Sequence, residues 1–166
     1  MTYLDILQDL GASTSIKYPW IFVNATSRIQ GWKLHLSIIN KEVKKLLNTV
    51  VPVLCENQIP FKLAQDEIVL ALLNEGRLGA TQVGKFITIY PENDKESFKI
   101  ARKLIRLTKG FHGPIIVTDI RLGDITYTRF GSFNPIIKHD RLGQQIRYIY
   151  GSNRKLIQDR YSIPLT

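Results

Sequence analysis

Apolar and polar residues alternate most regularly over residues 31–37, where Trp32, Leu34 and Leu36 interleave with Lys33 and His35. Side chains of a strand point to opposite faces with period two, so this stretch predicts a β-strand. Trp32, Leu34 and Leu36 are expected in the core, with Lys33 and His35 side by side on the other face. The next segment changes period. Val43, Leu46, Leu47, Val50, Val51 and Leu54 form one apolar stripe at helical spacing. Asn40 is placed to cap that helix, which would run to about Asn57, with Pro52 expected to kink it or end it early.

Elsewhere the pattern alternates between the two periods. Residues 3–10 read as a short helix with Leu4, Leu7 and Leu10 on one side, stopped at Gly11. Residues 12–18 read as a turn, residues 20–23 as a small apolar patch and residues 24–31 as a loop. A second strand is expected over residues 59–64, then a helix capped by Asp66 and running through Leu73. Residues 74–83, around Arg77, read as a loop. A third strand spans residues 84–90 and is closed by Pro91. A helix capped by Asp94 follows, with Phe98, Ala101, Leu104, Ile105 and Thr108 as its buried face and Gly110 as its stop. Residues 114–120 and 125–130 should form a hairpin about Leu122-Gly123-Asp124. Residues 131–166 show no strong period and should wrap the domain or lead out of it. Strands interleaved with helices, then a hairpin, imply an α+β domain: a mixed or antiparallel sheet with helices packed against it.

Length and composition fit that reading. The chain has 166 residues, 44% of them hydrophobic, which suits a single domain with a sizeable core. No apolar run approaches the length of a membrane span, and the first ten residues, carrying Asp5 and Asp9, do not resemble a signal peptide. Cys55 is the only cysteine, which excludes an internal disulfide and suits a reducing cytoplasm. His35, His112 and His139 show no metal-ligand spacing. Charge adds more. Lysine and arginine total 23 against 14 acidic residues, a formal net charge of +9. Such a surface attracts polyanions, whether nucleic acid, acidic peptides or phosphorylated substrates.

The candidate chemistry lies near the ends of these strands. Lys33 and His35, two apart on one face, can grip an anion and pass it a proton. Lys62, framed by Phe61 and Leu63, is either a lysine that snorkels to water or one that points into a cleft and is partly desolvated. Desolvation and neighbouring cations lower a lysine's pKa and make it a general base. Arg121 and Arg129 flank the expected hairpin turn, with Tyr127 on the face of Arg129, and Arg77 and Lys85 bracket a glycine-containing loop. The arginine fork matches phosphate oxygens. Each cation alone is better read as surface charge; together they suffice to clamp one dianion. The basic residues Arg102, Lys103, Arg106 and Lys109 read as a solvated helix face, Cys55 as packing, His112 as structural and His139 as solvated.

Five stretches occur in order: residues 31–37, Pro60-Phe61-Lys62, residues 84–91, Thr118-Asp119-Ile120-Arg121-Leu122-Gly123, and residues 127–133. In this order they resemble the N-terminal lyase domain of class III and class IV lanthipeptide synthetases, which is related to the phosphothreonine lyases that bacterial pathogens inject into host cells. The similarity runs from about Trp20 to the end, Asp159-Arg160 to Pro164 resembling the exit from that domain. The resemblance implies a phosphothreonine-lyase-like fold and β-elimination of phosphate from phosphoserine or phosphothreonine, giving dehydroalanine or dehydrobutyrine, with no metal and no organic cofactor. Lys62 matches the family's general base and His35 its general acid. Lys33, Arg121 and Arg129 match phosphate-gripping positions, and Arg77 matches less securely. Lys85 and Tyr90 lie in a matching strand, in supporting positions. The implied partners are a phosphorylated precursor peptide with a leader segment, and the kinase and cyclase domains that follow in the family. No kinase glycine loop or His-Arg-Asp occurs here. The expectation is a single lyase domain over residues 1–166, excised from a larger synthetase or standing alone.

Two other readings compete. The same cations would serve a non-catalytic phosphopeptide-binding module, which has no need of an unpaired lysine beside the scissile residue. A nucleic-acid binder would use the +9 charge and the aromatics. Residues 84–90 faintly resemble an RNA-recognition strand but lack its full glycine-aromatic pattern, which makes nucleic acid the weaker partner.

Overall fold

The computed structural model describes residues 2–159. Its centre is an antiparallel sheet of seven strands. They are β1 (Thr14–Lys17), β2 (Trp20–Val23), β3 (Gln30–Leu36), β4 (Phe61–Ala64), β5 (Ile87–Ile89), β6 (Ile120–Arg121) and β7 (Thr126–Ser132), in the spatial order β1-β2-β4-β5-β3-β7-β6. Every pairing is antiparallel. Four helices, α1 (Tyr3–Asp9), α2 (Val43–Glu56), α3 (Glu67–Asn74) and α4 (Asp94–Leu107), complete an α+β domain, as expected. Among the described residues no helix is long and apolar enough to cross a membrane.

Burial of apolar faces explains most of the arrangement. All six stripe residues of α2 are buried, in one core cluster with Leu34 and Leu36 of β3 and Leu104 of α4. Pro52 does not end α2, which continues to Glu56; Pro52 lies on its exposed face. Asn40 is not the cap. It opens a short 3-10 turn, Asn40–Glu42, and Glu42 precedes the first residue of α2. The Asp66 side chain does cap α3, accepting from the Val69 amide at 2.8 Å. Before α4 the cap is Asn93, one residue earlier than expected. On α4 the buried residues are Ser97, Ile100, Ala101 and Leu104, whereas Phe98 is 68% exposed. The helix is therefore rotated from the expected face, and Phe98 sits among its cations. Leu10 of the first helix is likewise exposed.

Two segments read as irregular are strands. Thr14–Lys17 is the edge strand β1, turned back on β2 through Tyr18-Pro19. The C-terminal part forms a second sheet, β8 (Ile136–His139), β9 (Gln145–Tyr150) and β10 (Leu156–Gln158), in the order β10-β9-β8. Conversely, residues 114–119 are not strand, and β5 is confined to Ile87–Ile89. The stretch beyond Asp159 that resembles a domain exit lies outside the described residues.

The largest departure concerns β3. Leu34 and Leu36 enter the core, but Trp32, at the strand's outer end, is 37% exposed and packs edge-on against Phe130 at 5.5 Å. Lys33 and His35 do share the opposite face, yet both are buried. That face is covered by the Tyr18-Pro19 turn, by Phe133 and Pro135, and by Arg147 of β9. A cleft, not open solvent, lies over the polar face of the sheet.

Because Leu104 is fully buried and Phe98 is not, Leu104→Ala should cost about 2–5 kcal/mol. Phe98→Ala should stay within about 0.5 kcal/mol of the parent. Urea denaturation of the two variants checks the rotation of α4.

Candidate active site

The register of the sheet builds the site. Lys62 on β4 pairs with Thr88 on β5, Thr88 pairs with His35 on β3, His35 with Tyr127 on β7, and Tyr127 with Arg121 on β6. These five side chains form one row on one face. A neighbouring row holds Lys33 beside Arg129. The strands of Lys62 and His35 are not adjacent. β5 lies between them, which sets their backbones about 10 Å apart at the usual strand spacing. The short side chain of Thr88 leaves the space between them open.

Lys33, His35, Lys62, Lys85, Thr88 and Tyr90 line a single cleft of about 420 Å³, closed by Trp20, Phe133 and Arg147 among others. The Lys62 ammonium sits over the Trp20 ring at 4.5 Å and near Phe22 at 5.9 Å. Burial, then the charges of Lys33 and Arg147, bring its pKa down to about 8. Burial likewise lowers Lys33 to about 8, with Arg129 adding to the effect. Lys85 falls to about 7, mainly through burial, against an opposing pull from Asp119. Lys62 is thus the desolvated lysine in a cleft, not a snorkelling one.

His35 is held by a residue to which spacing assigned no role. Its Nδ1 is hydrogen-bonded to the carboxylate of Asp119, and the Thr118 hydroxyl donates to the other Asp119 oxygen at 2.9 Å. Burial works to raise the Asp119 carboxyl, but the bond from His35 and the charge of Lys85 more than offset it and keep it ionised. Burial pushes the imidazole down to about 4, against the pull of Asp119. With its pKa brought to about 4, His35 is neutral near pH 7, with Nδ1–H donated to Asp119 and Nε2 left for the cleft.

The remaining sequence candidates are placed unevenly. Lys33 donates to the Ser132 carbonyl at 3.2 Å. Arg129 lies beside it but is ion-paired with Asp159 at 2.9 Å and faces a neighbouring cleft. Gly131 makes room for that guanidinium, since a Cβ there would collide with it. Asp159 also accepts from the Ser132 amide and hydroxyl. Arg121 is on the right face but at the end of its row, exposed, with its guanidinium donated to the carbonyls of Gly123 and Asp124 and stacked near Tyr127 at 5.8 Å. Arg77 is exposed, pairs with Glu75 at 3.3 Å and does not line the cleft. Tyr90 stacks edge-on with Phe133 at 5.1 Å. Sequence reasoning missed Arg147, whose signal was its place in a β-prone run, Ile146 to Tyr150, in which it is the only charged residue. Outside the cleft, His112 is structural, bonded to Glu42. Burial raises the half-buried Cys55 thiol, consistent with packing. Among the described residues no group of His, Cys, Asp or Glu is arranged to hold a metal ion.

The seven-stranded antiparallel sheet with its helices is a fold of the phosphothreonine-lyase type, as comparison with solved structures shows. The phosphothreonine lyase effector VirA of Chromobacterium violaceum superposes with a TM-score of 0.59 at 15% identity, covering 81% of this chain and 75% of that one. The plasmid virulence C protein of Salmonella gives 0.57 at 14%, covering 77% and 72%. The lyase OspF of Shigella flexneri gives 0.52 at 19%, covering 78% and 75%. Sequence narrows the relationship. Residues 11–164 match the RamC N-terminal domain, and the chain belongs to that family. It is 28% identical over 131 residues to a probable SapB synthase of Streptomyces coelicolor, a match that covers 78% of this chain but only 14% of that protein. The resemblance read from residues 31–133 is thereby borne out for family and fold.

The lysines bind protons less tightly when folded than when unfolded, where they titrate near 10.5. The unfolded chain therefore binds more protons between these values, and this contribution to stability rises with pH. Lys85→Met should reduce the gain in stability between about pH 7 and about pH 9.5. Denaturation curves of parent and variant at both pH values measure the difference.

Proposed function

We propose that this domain eliminates phosphate from phosphoserine or phosphothreonine of a peptide, leaving dehydroalanine or dehydrobutyrine. The carrying observation is that Lys62 and His35 face one cleft across the width of a single strand, with Lys33, Lys85 and Arg147 around them. That spacing accommodates one phosphorylated residue between a base and an acid. Family membership and the lyase fold support the same reading.

The steps follow from the charges. The phosphate enters the cation cluster, with Lys33 and Arg147 as its first contacts and Arg129 behind Lys33. Arg121 and Arg77, expected as further grips, reach the phosphate only by giving up their present partners, so the phosphate rests on the cleft cations first. A lysine with pKa about 8 is neutral often enough near pH 7 to accept the Cα proton on Nζ. The Cα–H pair becomes the Cα=Cβ bond, and the Cβ–O bond breaks toward phosphate. The nearby cations stabilise the enolate-like charge on the peptide carbonyl. A phosphate dianion beside His35 favours the imidazolium, so His35 acquires its proton together with the substrate. Nε2 then gives it to the departing phosphate, while Asp119 holds the ring. Atoms balance without water or a redox partner.

The substrate in this reading is a precursor peptide with a leader segment, phosphorylated by a kinase domain and passed on to a cyclase domain of the same synthetase, in the cytoplasm. The family and the 14% share of the synthase relative support that context.

Incubation of the chain with a phosphoserine peptide should give a mass loss of one phosphoric acid. Lys62→Ala should abolish the loss while the peptide still binds. With the acid near 4 and the base near 8 before substrate binds, the parent's kcat/KM should stay level between these values and fall above about pH 8, where loss of the His35 proton is no longer offset by further deprotonation of Lys62. Turnover retained in Lys62→Ala overturns the assignment of the base. Binding without turnover in the parent, across peptides with and without a leader segment, favours a phosphopeptide-binding module.

A further inference from the structure

Beside the cationic cleft lies a second recess of about 280 Å³ with the opposite character. The two share Tyr90 and Phe133 as walls. Phe22, Ala25, Pro60 and Phe61 add apolar surface, neutral polar groups such as Asn24 and Thr26 line the rest, and among the described residues no charged side chain lines it. In a chain of net charge +9, immediately next to several cations, an uncharged recess is a marked local contrast.

Its walls are fixed rather than loose. Phe133 is held edge-on by Tyr90 at 5.1 Å on one side and by the Arg28 guanidinium at 5.3 Å on the other. Its amide donates to the Ile29 carbonyl at 2.7 Å. The next side chain, Asn134, donates to the carbonyls of Thr26 and Arg28 and ties down the loop across the mouth. Phe22 stands on β2 two residues from Trp20, on the same face, and Lys62 reaches both rings. Two residues of strand span about 7 Å. Trp20 lines the cationic cleft and Phe22 the recess, so an extended peptide would cover the same distance within two residues.

We propose that this recess is a specificity subsite for an apolar side chain, aliphatic or aromatic, one or two residues from the phosphorylated residue of the peptide. The proposal rests on the phosphopeptide reading above. The cations supply affinity for any phosphorylated residue, and the recess selects among them by their neighbours. A flanking lysine would enter a space with no acidic partner, beside Lys62 and Arg28, and lose its hydration there. A leucine or phenylalanine would gain by leaving water.

The test uses labelled phosphoserine peptides of equal charge that carry leucine or serine at one of the two positions on either side of the phosphoserine. Affinity is read by fluorescence anisotropy and elimination by mass spectrometry. At one position the leucine peptide should bind about tenfold more tightly than its serine counterpart. Phe133→Ala, which removes a wall, and Ala25→Phe, which fills the mouth from an exposed loop, should both bring that ratio close to one. Should Phe133→Ala fail to fold, Ala25→Phe decides alone. Equal affinities at every position, a ratio unchanged in the variants, or no binding of any phosphopeptide overturns the subsite. A preference in binding with no mass loss leaves the subsite standing and removes the lyase. Mass loss without a preference does the reverse.

Discussion

The register between β3 and its neighbours is the constraint on which the rest depends. Side chains alternate between faces, so a slip of one residue would send Lys33 and His35 into the helices and Leu34 and Leu36 into the cleft. The apolar face prevents it. Leu34 and Leu36 are buried in the same core as the α2 stripe, and that burial holds five antiparallel strands in line across the site. The chemistry on one face is thus set by hydrophobic contacts on the other. None of the cationic residues needs to position itself.

The polar face carries a cost that this arrangement absorbs. Lys33, Lys85 and His35 are buried with few carboxylates near them, and their depressed proton affinities express that cost. Asp119 and Asp159 offset part of it, one bonded to His35 and the other to Arg129. The two carboxylates act differently. Asp119 fixes the orientation of a group that faces the cleft, whereas Asp159 joins the end of the small sheet to the large one through Arg129 and Ser132. The neutralisation is incomplete, and the cleft keeps a surplus of cationic groups.

The sequence made the interior of this arrangement easier to read than its edges. The α2 stripe is six residues on one face, and all six are buried, because a long amphipathic helix has one way to lie on a sheet. Lys62 and His35 were legible as a pair because each sits in a short strand with apolar neighbours. On α4 the apolar positions are sparse, and Phe98 was counted inward although packing selected Ser97, Ile100 and Leu104. Pro52 lies on the outer face of α2 and was tolerated there. The C-terminal sheet was missed because its strands are short and mostly exposed, so their alternation is not driven by a deep core. That sheet delivers Arg147, while Asp119 meets His35 across 84 residues of chain, a contact no local pattern encodes.

The concentration of cations has a consequence for the order in which products depart. In the proposed reaction, elimination would detach the charge from the peptide, so the dehydrated chain would lose its main hold on the cleft, while the freed phosphate would still face the same cations. The peptide would then be free to slide or reorient before the anion has gone. Lys33 and Lys85, with pKa values near 8 and 7, would then make departure of the anion sensitive to the surrounding pH. A peptide with several phosphorylated residues would therefore be processed in separate encounters, each waiting on the emptying of the same cluster.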